Sequence, residues 1–394
     1  MGLTETGAGV RRSTRRSPRP AAGGPRLTRD ALTVWIASRA SVAVLAVAGA
    51  WTVGDVSAGR MPSFSALWNR WDVGLFDKIA RWGYFGYPRH YPDQGVAAFF
   101  PGEPLLLRAV HVVIPSWILA GLAISAVAGA VAAVALARIA AIEGGPEQGR
   151  RSVLYLVASP FAVFLFAGYS ESLFLAFALP AWLAGRHARW RSAGLLAAGA
   201  SLVRITGVFL ALALAIEYLA TRRSRPRPVD AGAGWLLAPW LAVGGYFGYL
   251  RARTGDWLAW QHAQALGWGR SFTSPWQSFL TTWHAAWNPN QGAAYAWSFR
   301  TELLAVALGV VLSLVLLYRR RWGEAGYVGA QVAAFATSSF YLSVGRATLL
   351  WWPLWVMLAG AALRRPAVHV TYLALAAPLG AVLVIAFTQG HWVG

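Results

Sequence analysis

A succession of long apolar runs, separated by short arginine clusters, limits this chain more than any other feature. Residues 115–141 read PSWILAGLAISAVAGAVAAVALARIAA, with Arg138 as the only charge. An apolar helix of about 20 residues crosses the hydrocarbon core of a bilayer. Candidate spans are residues 31–53, 115–141, 152–167, 172–185, 232–250, 298–318, 325–343, 347–363 and 367–387. Of the 394 residues, 57% are hydrophobic and 13% charged, whereas a soluble domain averages about 25% charged. The expectation is an integral membrane protein. No cysteine is present, which excludes a disulfide framework and thiolate chemistry. A net charge of +20 would also suit a nucleic-acid partner. The arginines instead lie between apolar runs, as in positive-inside loops, and no nucleic-acid partner is expected.

The clusters also set an orientation. Those at Arg150-Arg151, 186–191, 222–227, 319–321 and Arg364-Arg365, with the N-terminal segment, can all be cytoplasmic under one condition. Residues 193–220 must enter and leave on the same side. As one helix they would measure about 42 Å, too long for a simple crossing. They contain Arg204 and Gly207. Two helices meeting near Arg204 are expected, since non-helical backbone at depth is tolerated where it lines a buried cavity. Residues 1–30 read as a disordered, basic cytoplasmic tail, and 31–394 as one transmembrane domain with about ten helices. Its extracytoplasmic loops are 54–114 and 251–297. Residues 31–53 read as an uncleaved signal anchor. The Arg-over-Lys and Ala/Gly bias suggests a bacterial source, hence the plasma membrane.

Acidic residues number only 15, and two fall in NRWDVGLFDKIARWGYF, residues 69–85. At helical spacing, Trp68, Trp71, Leu75, Phe76, Ile79 and Trp82 form an apolar stripe, with Arg70, Asp77, Lys78 and Arg81 opposite. This reads as an amphipathic interfacial helix. Asp77 has Arg81 four residues on, the spacing of a surface ion pair. Asp72 interrupts the apolar stripe, and its neighbours at three and four residues, Asn69, Trp68, Leu75 and Phe76, include no cation. A carboxylate there needs a distant partner or a function. No His/Asp cluster has ligand spacing, so neither a metal nor another cofactor is indicated.

These residues also carry a resemblance. RWDVGLFDKIARWGYF followed by AAFFPGEPLLLR resembles the WD…F…IA…GY and AFFP…P signatures of PIG-V-type mannosyltransferases, of the GT-C group of polytopic glycosyltransferases. SPFAVFLFAGYSESLF, SLVRITG, TGDWLAWQHAQALGWGR and SVGRATLLWWPLW are similar to further family segments, in order. One departure is Gly102-Glu103, where the family commonly has an apolar pair; Glu103 is either a substrate-specific addition or a rim charge.

The resemblance implies an all-α GT-C-like fold. It also implies inverting transfer of a hexose, with mannose favoured, from a polyprenyl-phosphate sugar to an extracytoplasmic lipid, glycan or protein acceptor. Asp72 matches the WD position and would be the general base. Glu171 is a second acidic candidate, followed by Asp77 and Glu103. Arg204 and Arg346 would bind the donor phosphate. The alternatives are an ion pair with Glu171 for Arg204 and interfacial snorkelling for Arg346. Trp71, Tyr169, His262 and Trp268 are candidate sugar or acceptor contacts, although interfacial belts also explain tryptophans. His90 is a weaker candidate. A secondary transporter would share broken helices and buried charges, but no repeat between halves is visible. A transferase of another lipid-linked sugar is the remaining alternative.

Overall fold

The structure, a computed structural model, describes residues 24–53, 62–88, 94–224 and 231–394. The expected tail up to residue 23, His90 and part of the 222–227 cluster lie outside the described residues. Among the described residues the fold is all-helical, with one isolated bridge between Phe272 and Ser338.

The first helix, α1 (Gly24–Thr52), starts seven residues before the expected span and packs along α5. Three short helices follow: α2 (Phe64–Trp68), α3 (Asp72–Trp82) and α4 (Gly102–His111). Residues 68–82 are therefore not one helix. The chain breaks at 69–71, where Trp71 adopts φ 50° and ψ −118°. Arg70 holds that break by donating to the Thr388 carbonyl at 2.7 Å. This alters the expected stripe. Trp68 belongs to α2, Trp71 and Trp82 are exposed, and Lys78 is buried.

Helix α5 (Trp117–Val157) joins two expected spans. Gly144 and Gly145 are non-helical inside it, Gly145 at φ 83°. The two arms pack closely: a Cβ on Gly149 would lie 2.6 Å from the Ala137 carbonyl. The expected span 152–167 is a short arm to Val157 followed by a 3₁₀ turn, Pro160–Leu165.

Next come α6 (Ser170–Arg186), α7 (Trp190–Val203) and α8 (Gly207–Ser224). The expected interruption is present: Arg204 is extended, at φ −150° and ψ 146°. Gly207 makes the approach of α8 possible, because a Cβ there would lie 2.4 Å from the Ser201 Cα. The rest of the chain forms α9 (Ala238–Thr254), α10 (Ala259–Trp268), α11 (Pro275–Trp287), α12 (Ala293–Tyr318), α13 (Trp322–Ala336), α14 (Val344–Ala347), α15 (Trp352–Arg364) and α16 (Pro366–Thr388).

Among the described residues four helices, α1, α5, α12 and α16, are long and apolar enough to cross a membrane; the 344–350 and 352–364 pair, bent by 73°, makes a fifth if it is counted as one span. The chain is an integral membrane protein. Other expected spans form shorter helices, such as α6 with 17 residues and α13 with 15. The start of α6 and the end of α13 meet the breaks at 69–71, 204–206 and 337–343 in one region.

Candidate active site

Asp72 is the first residue of α3, where the orphan N–H groups of a helix start favour a carboxylate. It is buried, with 6% of its surface exposed. Its partner comes from across the molecule: Arg346 donates from a terminal nitrogen to Asp72 Oδ2 at 2.7 Å. The Arg346 Nε donates to Glu171 Oε1. Glu171, in the first turn of α6 and fully buried, also accepts from Arg204 at 2.7 Å. Arg204 donates to Ser170 Oγ at 2.8 Å as well. The four side chains form one line, Asp72–Arg346–Glu171–Arg204, with two charges of each sign. Buried charges persist when paired and hydrogen-bonded in this way. The Arg346 guanidinium also lies over the Tyr169 and Phe164 rings, at 4.5 and 4.9 Å, so interfacial snorkelling does not describe it.

The helix break at 337–343 sets where Arg346 sits. Ser343 takes a left-handed conformation, φ 62°, ahead of α14. Glu302 on α12 caps that turn, accepting from the N–H groups of Ser343 at 2.6 Å and Val344 at 2.7 Å. Arg270 donates to the Leu342 carbonyl on the same turn. Glu302 is not conspicuous in the sequence, where it reads as one acid in an apolar span. Arg270 closes the TGDWLAWQHAQALGWGR segment of the resemblance, the one signal that could have singled it out.

A cavity of about 520 Å³ opens against this line. Asp72, Arg204, Arg270 and Arg346 line it together with Phe99, Phe209 and Phe335. Cationic and aromatic walls suit an anion attached to a hydrocarbon. Among the described residues, Arg270 has no carboxylate within ion-pair distance, while Arg204 and Arg346 both do. Asp72, Trp268 and Trp392 also line a second cavity of about 730 Å³.

The remaining candidates are dispersed. Asp77 pairs with Arg81 at 2.5 Å and faces the second cavity, as does Trp71. Tyr169 is buried beneath Arg346 and lines neither cavity. His262 is exposed and bonds Asp256 at 2.7 Å, outside both cavities. Glu103 is no rim charge: it is fully buried, and neither carboxyl oxygen has a hydrogen-bond partner. Burial, and then the charge of Glu171, pushes its carboxyl well above the ordinary value of 4.5.

No protein-family model and no curated protein matches this chain. Among solved structures it is similar to ArnT from Cupriavidus metallidurans bound to undecaprenyl phosphate, at 18% identity and a TM-score of 0.50. That alignment covers 87% of this chain and 62% of ArnT, so this chain spans less than two thirds of it. The Archaeoglobus fulgidus oligosaccharyltransferase AglB, solved with an inhibitory peptide and a dolichol-phosphate, gives 12% identity and a TM-score of 0.43, over 92% and 56% of the two chains. The ArnT likeness defines the class by fold, an all-α polytopic membrane fold similar to that of ArnT. At this identity it establishes the fold and not the activity.

Proposed function

We propose that this protein is a membrane glycosyltransferase that uses a polyprenyl-phosphate sugar, with mannose the favoured sugar, and inverts the anomeric centre. One observation carries the reading. A buried carboxylate, Asp72, stands at the edge of an arginine-lined, aromatic-walled cavity, bonded to a buried guanidinium. The undecaprenyl phosphate bound by ArnT is a ligand of the chemistry this cavity suits.

In the proposed step the Asp72 carboxylate takes the proton from an acceptor hydroxyl. The hydroxyl oxygen bonds to the anomeric carbon as the bond from that carbon to the phosphate oxygen breaks, and the electron pair leaves with the polyprenyl phosphate. The departing phosphate gains charge, and preorganised donors stabilise it. Arg270 supplies the guanidinium not committed to a carboxylate, and Arg204 and Arg346 frame it. Arg346 also holds the Asp72 carboxylate in place through its hydrogen bond. The acceptor side is extracytoplasmic in this reading.

The test supplies membranes containing the protein with polyprenyl-phosphate mannose or with a nucleotide sugar. Transfer is expected from the lipid-linked donor. Transfer from the nucleotide sugar while polyprenyl-phosphate synthesis is blocked overturns the donor assignment. Transfer from a polyprenyl-phosphate glucose or pentose, and not mannose, overturns only the sugar.

A further inference from the structure

The second cavity has no part in the donor step. It shares Asp72, Trp268 and Trp392 with the first, but its other walls have a different chemistry. Asp77, Lys78 and Arg81 of α3 line it, together with Gln94, Trp71 and Trp82. Each of those charges meets a partner within the protein. Asp77 pairs with Arg81. The Lys78 ammonium lies 3.8 Å from the centroid of the Tyr87 ring. Asp72 is bound by Arg346.

The aromatic side is set by backbone strain. Trp71 holds φ 50° with ψ −118°, a positive-φ conformation that a bulky side chain adopts only when its surroundings impose it. The consequence is local. Trp71 is turned outward, 47% exposed, while the next residue, Asp72, is buried. The Trp71 ring meets Trp392 edge to face, with centroids 5.2 Å apart and planes at 82°.

Two properties follow. The walls carry two carboxylates, Asp72 and Asp77, against two cations, Lys78 and Arg81, so an ion entering this cavity would shed water without meeting a net opposite charge, which disfavours it. A neutral molecule rich in hydroxyls avoids that cost. Its hydroxyls can bond the Asp77 carboxylate, the Arg81 guanidinium and the Gln94 amide, and its C–H faces can lie against an indole. We infer that the second cavity is the acceptor subsite and that it takes a neutral polyhydroxy group, a sugar bearing no phosphate or carboxylate, with Trp392 as its stacking face. The word acceptor rests on the transferase reading, whereas the binding itself rests on the cavity. An acceptor there would reach Asp72 from one cavity while the donor reaches it from the other, so nucleophile and leaving group approach from different sides.

The test uses the full-length protein in nanodiscs. Calorimetry measures the binding of methyl mannobioside, of its phosphorylated analogue and of a serine- and threonine-rich peptide. Undecaprenyl phosphate binding is followed in the same preparations. The neutral disaccharide is expected to bind saturably, and the phosphorylated one about tenfold more weakly or worse. Trp392→Ala should lose about tenfold in disaccharide affinity, and Trp392→Phe, which keeps a ring face, should retain most of it. Asp77→Asn releases Arg81 and should erase most of the discrimination against phosphate, with undecaprenyl phosphate binding unchanged. Four results overturn the inference: no saturable disaccharide binding, tighter binding of the peptide, equal binding of the phosphorylated sugar to the unaltered protein, or unchanged affinity in Trp392→Ala. Loss of undecaprenyl phosphate binding with the disaccharide still bound overturns the donor reading alone.

Discussion

Helix α6 carries an arginine–carboxylate network at each end, and the two are built from the same chemistry for different ends. At its start, Glu171 joins the line from Asp72 to Arg204. About 22 Å away along the helix, Arg186 pairs with Glu217 of α8 at 3.7 Å. Beside it, Arg321 binds Glu143 at 2.6 Å and also Glu324. The second network ties together α5, α6, α8 and α13 close to where those helices turn, and it lines neither cavity. The first stands on interrupted backbone and faces a cavity. What separates a staple from a site here is the backbone beneath the charges and the space in front of them.

The comparison breaks most sharply at Asp72. Asp72→Asn keeps the shape and removes the base, so turnover should fall by about 10²–10⁴-fold. The thermal midpoint should move little, because Arg346 keeps Glu171. Normal turnover in a folded variant would remove Asp72 from the chemistry. Next comes Glu302→Gln. An amide cannot accept from both N–H groups of the 343–345 turn with its two ends, so Arg346 loses its placement. Misplacement on the ångström scale costs about 10²-fold. The fall should lie in kcat, with the acceptor KM nearly unchanged; an equal change in both, or none, contradicts a positioning role.

Arg321→Ala tests the other end. Losing charge-assisted hydrogen bonds to two carboxylates should cost about 1.5–3 kcal/mol of stability, while turnover per folded molecule is retained. Reduced turnover in folded Arg321→Ala would erase the distinction between the two networks. The smallest effect is expected at Glu103, a buried carboxyl with no hydrogen-bond partner. Its raised pKa means that folding favours the protonated form. The stability this group contributes is therefore full below about 4.5 and lost as pH rises toward the folded value. Glu103→Gln does not titrate, so its advantage over the unaltered protein in thermal melts should grow as pH rises above about 4.5. A difference independent of pH would mean that Glu103 is ionised or paired.

Much of the architecture was legible because burial leaves a periodic trace. The apolar runs marked the long helices, and excess length plus Arg204 marked the break between α7 and α8. Asp72 stood out because a carboxylate within an apolar stripe is costly at any depth. Other features left no such trace. The break at 69–71 was hidden because the pattern continues through it: Trp68 and Phe76 keep helical spacing although they sit on different helices. Lys78 read as solvated and is buried against Tyr87. Glu302 had nothing local to distinguish it, since its partners are three backbone N–H groups about 40 residues on.

The sequence by itself determined an all-helical membrane protein, the interruption at Arg204, and one carboxylate in need of a distant partner. Those properties depend on neighbours within a turn or two, where spacing dictates which face a side chain occupies. Only the tertiary structure decided which partner Asp72 has, 274 residues away. It likewise decided that Arg270 faces the same cavity and that Asp72, Trp268 and Trp392 stand between one cavity and another. Ion-pair geometry and cavity shape arise from how helix ends meet, and no local pattern records that.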